Sequence, residues 1–337
     1  MFLPTILEKG VVCVRILVLS TDYPRKDESV SMMYVHTRNK RYVEKGLEVT
    51  VLNFSALKCY ELDGVRVITK EAYLNRDIDY DILVSHAPNL RQHLVFLQRF
   101  KNRFKKMVFF FHGHEVLKTA EVYPPPYPFR RRSRLTTVGR NIYDSIKLRV
   151  WNRFFVRNAN KVHFVFVSKW MSEMFQKYVS IDLELIKDRM SVIYNAVGKE
   201  FEALDYSVEE HKKYDFITIR SSLDSPKYCI DIVTELAKKH PQKTFCVVGK
   251  GQFFDHYPKP ENLLWVNRVL SHREIVEHLN QSKCALMPTR ADAQGVMVCE
   301  MATFGMPVIT SSLEVCKEVF SEFINVSLID NHDRSIN

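Results

Sequence analysis

Residues 289–311 read TRADAQGVMVCEMATFGMPVITS, with two acids, Asp292 and Glu300, on either side of Gly295. Gly305-Met306-Pro307 is a helix stop, so the apolar run before it reads as a helix from about Val296 to Phe304. Pro307 then opens PVITS, a strand, and CALMP (284–288) reads as the strand before the helix. Strand, helix and strand joined by short turns are the unit of a parallel sheet. Inside the helix, Glu300 is the only charge in VMVCEMATF. A buried carboxylate without a partner is costly. Glu300 is therefore either a structural acid satisfied by nearby hydroxyls or amides, or an acceptor for the hydroxyls of a ligand. The helix start, DAQG, leaves backbone N–H groups free to meet an anion, and helix side chains lean toward that end.

The same alternation runs outward through the chain. VRILVLS (14–20) is a buried strand, SMMYVHTRNKRYVEKG a helix closed by Gly46, and EVTVLNF (48–54) the next strand. DILVSH (81–86), a helix near 88–103, KMVFFFH (106–112), HFVFVS (163–168) and MSVIYN (190–195) complete a first half. YDFITIR (214–220), a helix near 227–240, TFCVVGKG (244–251), LLWVN (263–267) and a helix near 271–281 lead back to the opening stretch. Between the halves, GKEFEALDYSVEEHKK (198–213) is charged and lacks core periodicity. The expectation is an α/β chain of two Rossmann-like doubly wound domains, 1–197 and 214–337, joined by a linker at 198–213. Ligands of such sheets bind at the carboxyl ends of the strands, here in the cleft between the domains.

Composition sets bounds on this reading. A chain of 337 residues is long enough for two cores. Seven scattered cysteines (Cys13, Cys59, Cys229, Cys246, Cys284, Cys299, Cys316) form no CxxC pair, which points to reduced thiols in a cytosolic protein. Glu8, Lys9 and Arg15 interrupt the apolar start, arguing against a signal peptide or a spanning segment. A net charge of +10 calls for an anionic partner.

Arg220 and Lys227 flank the end of strand FITIR and the start of the next helix. Each alone reads as a solvated charge. Together, a forked donor and a compact point charge suit a diphosphate without a metal. Other signals are weaker. DIDYD (77–81) precedes a strand and reads as a polar strand entry, and His112, His114 and Glu115 do not form a metalloprotease helix. GKG (249–251) falls short of GxGxxG, which argues against a dinucleotide oxidoreductase.

The ordered set resembles retaining glycosyltransferases of family four, the E-x7-E type with the GT-B fold, here with DAQGVMVCE and Asp292 in place of the first Glu. FFFHGHE (109–115), FVSKWM (166–171), VIYNAV (192–197), Arg220 to Lys227, VVGKG (247–251) and WVNRVLSHREIVEHLNQSKCALMPTR fall in the family's order across almost the whole chain. The resemblance implies that Arg220 and Lys227 bind the donor diphosphate and Glu300 the nucleotide ribose. Asp292 with the amides of Gly295, Val296 and Met297 would hold the sugar and distal phosphate, Gly249 would line the donor site, and His112 would contact the transferred sugar or acceptor. No metal or other cofactor is implied beyond the nucleotide diphosphate sugar. The acceptor class is a glycan or a polyprenyl-linked glycan, with a role in cell-surface polysaccharide synthesis. The loop TDYPRKDESVSMM (21–33) lacks the paired glycines of many relatives, and the chain ends at NHDRSIN, shorter than relatives that continue through further helices.

Between Phe129 and Arg157 stand nine basic residues and one acid, Asp144. From about Ile142 the pattern reads as a helix, with Ile142, Ile146, Val150, Trp151, Phe154 and Phe155 at three- and four-residue spacing. One reading is a core-packed helix with a basic solvated face. The other is a surface lying on anionic lipid at the cytoplasmic face of the membrane. Two competing functions remain: a non-catalytic nucleotide-sugar or glycan binder of the same fold, and a nucleic-acid binder. The second lacks any helix-turn-helix, RNA-recognition or zinc-finger signature, so no nucleic-acid partner is expected.

Overall fold

The computed structural model describes residues 14–26, 31–75, 78–131, 133–209 and 211–332. The apolar start with Cys13, part of the 21–33 loop, Asp77 of DIDYD, Arg132 and the last five residues of NHDRSIN lie outside the described residues.

The chain packs as two compact units, and they interleave. One comprises residues up to Val116 with Lys147–Val167 and Phe175–Ile193. The other comprises Leu117–Ile146, Ser168–Met174 and the chain from Tyr194 onward. The first sheet contains β1 (Arg15–Ser20), β2 (Glu48–Asn53), β3 (Tyr60–Leu62), β4 (Val65–Ile68), β5 (Ile82–His86), β6 (Lys106–Phe111), β7 (Val162–Phe166) and β8 (Met190–Val192). Their order is β3-β4-β2-β1-β5-β6-β7-β8, parallel except for the β3–β4 pair. The second sheet contains β9 (Tyr214–Ser222), β10 (Phe245–Lys250), β11 (Leu263–Val266), β12 (Ser282–Met287), β13 (Val308–Ser311) and β14 (Val326–Ile329). It runs β11-β10-β9-β12-β13-β14 and is parallel throughout. Two parallel-sheet α/β domains are therefore present, as the strand–helix alternation requires.

The runs are apolar because parallel strands are covered on both faces. In β6, Phe109 packs on Phe155 and Trp151 with ring centroids 5.1 and 6.1 Å apart, and Phe111 packs on Phe155 at 5.9 Å, while Phe110 turns to the opposite face, stacked on His86 at 4.5 Å. The β3–β4 hairpin is an addition to the expected strands. Its turn is Asp63-Gly64, both at positive φ (49° and 76°), the pair a tight hairpin favours. The segment 198–213, expected as a linker without core periodicity, carries a helix, Lys199–Ala203, whose Phe201 is buried in the second unit's core. Tyr206 donates to the Ser282 carbonyl at 2.7 Å, so this stretch is packed onto the second unit.

The basic helix begins earlier than its spacing suggests. It spans Arg134–Arg157, eight residues before Ile142, and it divides in two. Leu148, Trp151, Phe154 and Phe155 are core residues, and Lys147 is buried, donating to the His114 carbonyl at 2.7 Å. Leu135, Val138, Ile142, Tyr143 and Ile146 are exposed, Leu135 at 85%. The core-packed reading thus holds for the second half, and Trp151, Phe154 and Phe155 are not surface groups. Trp151→Ala is expected to cost about 3–5 kcal/mol in urea unfolding, whereas Ile142→Ser stays within about 0.5 kcal/mol. Equal costs would contradict this division.

Candidate functional site

Arg220 lies near the carboxyl end of β9 and is only 7% exposed. One Nη donates to the Pro288 carbonyl at 2.7 Å, and Nε has no partner among the described residues. Burial pulls its pKa below the usual guanidinium range, and the Asp292 carboxylate acts in the opposite sense. Arg remains charged under either influence. A buried guanidinium with an unspent donor is a place where an anion is favoured. Beneath it lies Gly249, at φ 146°, where a Cβ would stand 2.1 Å from the Arg220 carbonyl oxygen. Gly249 therefore lets β10 approach β9 directly behind Arg220. Its placement explains the glycine by backbone packing, with its own carbonyl accepting from Trp265 Nε1 at 2.9 Å.

Lys227 sits in a short 3-10 turn, Pro226–Tyr228, after β9. Its ammonium is 4.5 Å from the Tyr228 ring centroid, and the Arg220 Cζ is 5.0 Å from the same ring. One aromatic thus faces both cations, offsetting part of their mutual repulsion. The turn is fastened to the loop after β12. The Lys227 carbonyl accepts from the Arg290 amide at 2.8 Å and from Thr289 Oγ1 at 3.1 Å. Arg290 then grips Asp231 with two nitrogens, at 2.9 and 2.6 Å, and Tyr127 donates to the same carboxylate at 2.8 Å. Tyr228, Asp231, Arg290 and Tyr127 were not singled out from the sequence. An aromatic adjacent to Lys227 was the one visible signal among them.

The helix Val296–Thr303 opens on Gly295, left-handed at φ 78°. Asp292 Oδ1 accepts from the amides of Ala293 (2.8 Å), Gln294 (3.3 Å) and Gly295 (2.9 Å). Asp292 thus holds the turn that aims the helix start, and it takes the Gly295 amide for itself. The amides of Val296 and Met297, both half-buried, have no acceptor among the described residues, as expected for a first helical turn. Gln294, also absent from the sequence reading, is buried and bridges the Asn195 backbone, accepting at 2.7 Å and donating at 3.2 Å.

Glu300 is 4% exposed. Its Oε1 accepts from the Gly198 amide at 3.1 Å, and His272 Nε2 lies 3.9 Å away. Burial pushes its carboxyl pKa up, while His272 and the Gly198 amide pull it down. The acid in the apolar run has partners, and they come from the 198–213 stretch and from the helix His272–Asn280.

His112 belongs to the first unit, just beyond β6. Its Nε2 is 3.0 Å from His86 Nδ1, its ring lies 4.5 Å from Tyr34, and its Nδ1 is buried without a partner among the described residues. The amides of His112 and Gly113 donate to Glu115, the latter at 3.0 Å. Burial, with Arg38 nearby, pushes the His112 pKa down to about 3. At neutral pH it is an uncharged hydrogen-bonding ring. Of the residues named from sequence, the second unit holds Arg220, Lys227, Asp292, Gly295, Val296 and Met297 around the carboxyl ends of β9 and β12, with Gly249 behind Arg220 and Glu300 farther along the helix. His112 stands in the other unit.

Residues 207–336 match the family model described as "Glycosyl transferases group 1". That stretch, the greater part of the second unit, is similar to this family. The whole chain has the GT-B architecture of solved glycosyltransferases. It is similar to sucrose-phosphate synthase from Thermosynechococcus elongatus, with TM-score 0.69 at 12% identity, covering 95% of this chain and 87% of that one. It is similar to an α,α-trehalose-phosphate synthase (UDP-forming) from Burkholderia vietnamiensis, with TM-score 0.62 at 10% identity over 96% and 87% of the two chains. Anabaena HepE, in complex with UDP and glucose, gives TM-score 0.59 at 14% identity over 95% and 87%. No curated protein sequence matches the chain.

Arg220 is expected to cost the second unit stability, because its charge is buried. Arg220→Met, of similar length, should hold or raise the urea unfolding free energy, by up to about 3 kcal/mol, and lose pyrophosphate binding in calorimetry. Destabilisation with pyrophosphate affinity intact would contradict the site.

Proposed function

We propose that this protein is a retaining glycosyltransferase that moves a sugar from a nucleotide diphosphate sugar to a glycan or lipid-linked acceptor, in cell-surface polysaccharide synthesis. The observation that carries the proposal is Arg220: buried, with Nε unspent, beside Lys227 and the open amides of Val296 and Met297. The complex of HepE with UDP and glucose supports a donor of this class. In the reaction the bond from the anomeric carbon to the phosphate oxygen breaks. The acceptor oxygen bonds to that carbon on the same face, and its proton passes to the departing phosphate. Arg220, Lys227 and the helix amides stabilise the charge that grows on the diphosphate. Glu300 accepts the ribose hydroxyls, Asp292 fixes the helix start at the sugar, and neutral His112 hydrogen-bonds the transferred sugar or acceptor. Because two cations and a helix start supply the positive potential, the transfer step is metal-independent.

Lys227→Ala is expected to lower transfer by about 2–4 kcal/mol of transition-state stabilisation, a loss of roughly thirty- to a thousandfold. Wild-type transfer should survive EDTA. Near-normal turnover of the variant, or EDTA loss restored by magnesium or manganese, contradicts the assignment. Donor binding without transfer or hydrolysis supports the non-catalytic alternative.

The exposed half of the helix Arg134–Arg157 favours peripheral attachment to the inner face of the cell membrane. Leu135, Val138, Ile142 and Ile146 follow one another at helical spacing of three and four, and all are exposed. Arg131, Arg134 and Arg140 are exposed around them, whereas Arg130 turns down to Asp224 at 3.3 Å. Apolar side chains entering the interface and arginines meeting headgroups, about 1 kcal/mol each, give reversible binding. No helix among the described residues is long and apolar enough to cross a membrane. Flotation should recover the protein with vesicles containing anionic lipid, and the double variant Leu135→Ser, Ile142→Ser should stay behind. Equal absence from anionic and neutral vesicles at low salt contradicts attachment.

A further inference from the structure

Glu300, set against the donor ribose in the proposed function, shares an imidazole with a second acid. His272 Nε2 lies 3.9 Å from Glu300 Oε1, and its Nδ1 lies 3.3 Å from Glu200 Oε2. The ring meets Phe201 edge-on at 5.3 Å. Packing is close at Gly198, where a Cβ would stand 2.8 Å from His272 Nδ1 and 3.2 Å from Glu200 Oε2. That same glycine gives its amide to Glu300 at 3.1 Å. The imidazole is thus seated between two carboxylates against a backbone that has no room for a side chain.

Glu200 comes from the helix Lys199–Ala203 and Glu300 from Val296–Thr303, where the neighbouring Cys299 thiol is pushed by burial to about 12 and stays neutral. On the ring's own helix, Glu274 is taken by Arg268 and by Ser271 in a capping box. His272 is the basic group that these contacts bring to Glu300. The ring is within hydrogen-bond distance of Glu200 and at ion-pair distance from Glu300. A nearly buried carboxylate is costly to ionise, and a cation beside it offsets that cost.

We propose that His272 is a positioning residue for the donor: seated between Glu200 and Glu300, it holds the Glu300 carboxylate where it accepts the ribose hydroxyls. The proposal rests on the placement of Glu300 at the ribose. The sign follows from the direction of the Glu300 shift. Burial raises its pKa and His272 opposes the rise, so donor affinity is lost as pH falls through the pKa of free Glu300. Removing His272 moves that acid limb to higher pH. In alkaline solution Glu300 is ionised with or without the ring, and the affinities converge.

The test is calorimetric binding of UDP, GDP and ADP across mildly acidic to alkaline pH, for the wild type, His272→Asn, His272→Gln, Glu300→Gln and the double variant His272→Asn, Glu300→Gln. For whichever nucleotide binds, both His272 variants should bind about five- to tenfold more weakly within the acid limb and match the wild type in alkaline solution, the limb having moved up by about one pH unit. Glu300→Gln should bind weakly with no acid limb, and adding His272→Asn to it should change nothing. An unmoved limb in the folded His272 variants overturns the proposal, as does a loss equal at every pH, which marks a merely structural ring. An acid limb that persists in Glu300→Gln also overturns it. Failure of every nucleotide to bind the wild type at any pH overturns the donor-site reading itself, and this inference with it.

Discussion

A guanidinium is held inside the second unit with one of its donors unspent, and much of the neighbouring architecture is arranged around it. Arg220 is brought to the end of β9 by a parallel pairing that Gly249 alone permits, since any side chain there would collide with the Arg220 carbonyl. Its charge is desolvated, which is costly, and within the protein it is met by the Pro288 carbonyl, the Tyr228 ring and the field of Asp292. Such an arrangement favours an incoming anion more than a solvated arginine would, because the desolvation has already been borne on folding. The Asp231–Arg290 pair and Tyr127 then fasten the Lys227 turn to the loop that carries Asp292. Two cations, an acid-held turn and two open amides are thereby fixed before any ligand arrives.

The strands were legible in the sequence because parallel strands are buried on both faces and must be written as β-branched or aromatic runs. VRILVLS, KMVFFF and FCVVG are such runs. The β3–β4 hairpin was not, since its strands are short and carry Glu61 and Arg66 between their apolar residues; Asp63-Gly64 was the available cue. The early start of the basic helix was hidden by Thr136, Thr137, Val138 and Gly139, residues of modest helix propensity in its first turns. Arg220 and Lys227 stood out because they sit where a strand hands over to a helix. Their fastenings did not, because Asp231 and Arg290 are 59 residues apart and meet only through the fold.

Asp292 and Glu300 show how one motif divides its work. The sequence presents one acid four residues ahead of a short helix and one inside it. Asp292 is spent on the backbone amides that shape the helix entry, while Glu300 is buried with an amide and an imidazole. The shortened acid at 292 fits the first task, since an Asp carboxylate reaches amides one to three residues ahead of it. The burial of Glu300 answers why an apolar helix keeps a carboxylate: its partners arrive from Gly198 and His272, neither on the helix itself.

In the proposed function, the diphosphate contributes more to donor binding than the base and ribose do. The most direct measurement compares, by calorimetry on the wild-type protein, the nucleotide diphosphate sugar that binds best with its parent nucleoside. The nucleoside, which keeps base and ribose but lacks the diphosphate, is expected to bind at least about a hundredfold more weakly, because charge-assisted contacts to two cations are lost. A nucleoside that binds as tightly as the nucleotide sugar would contradict it.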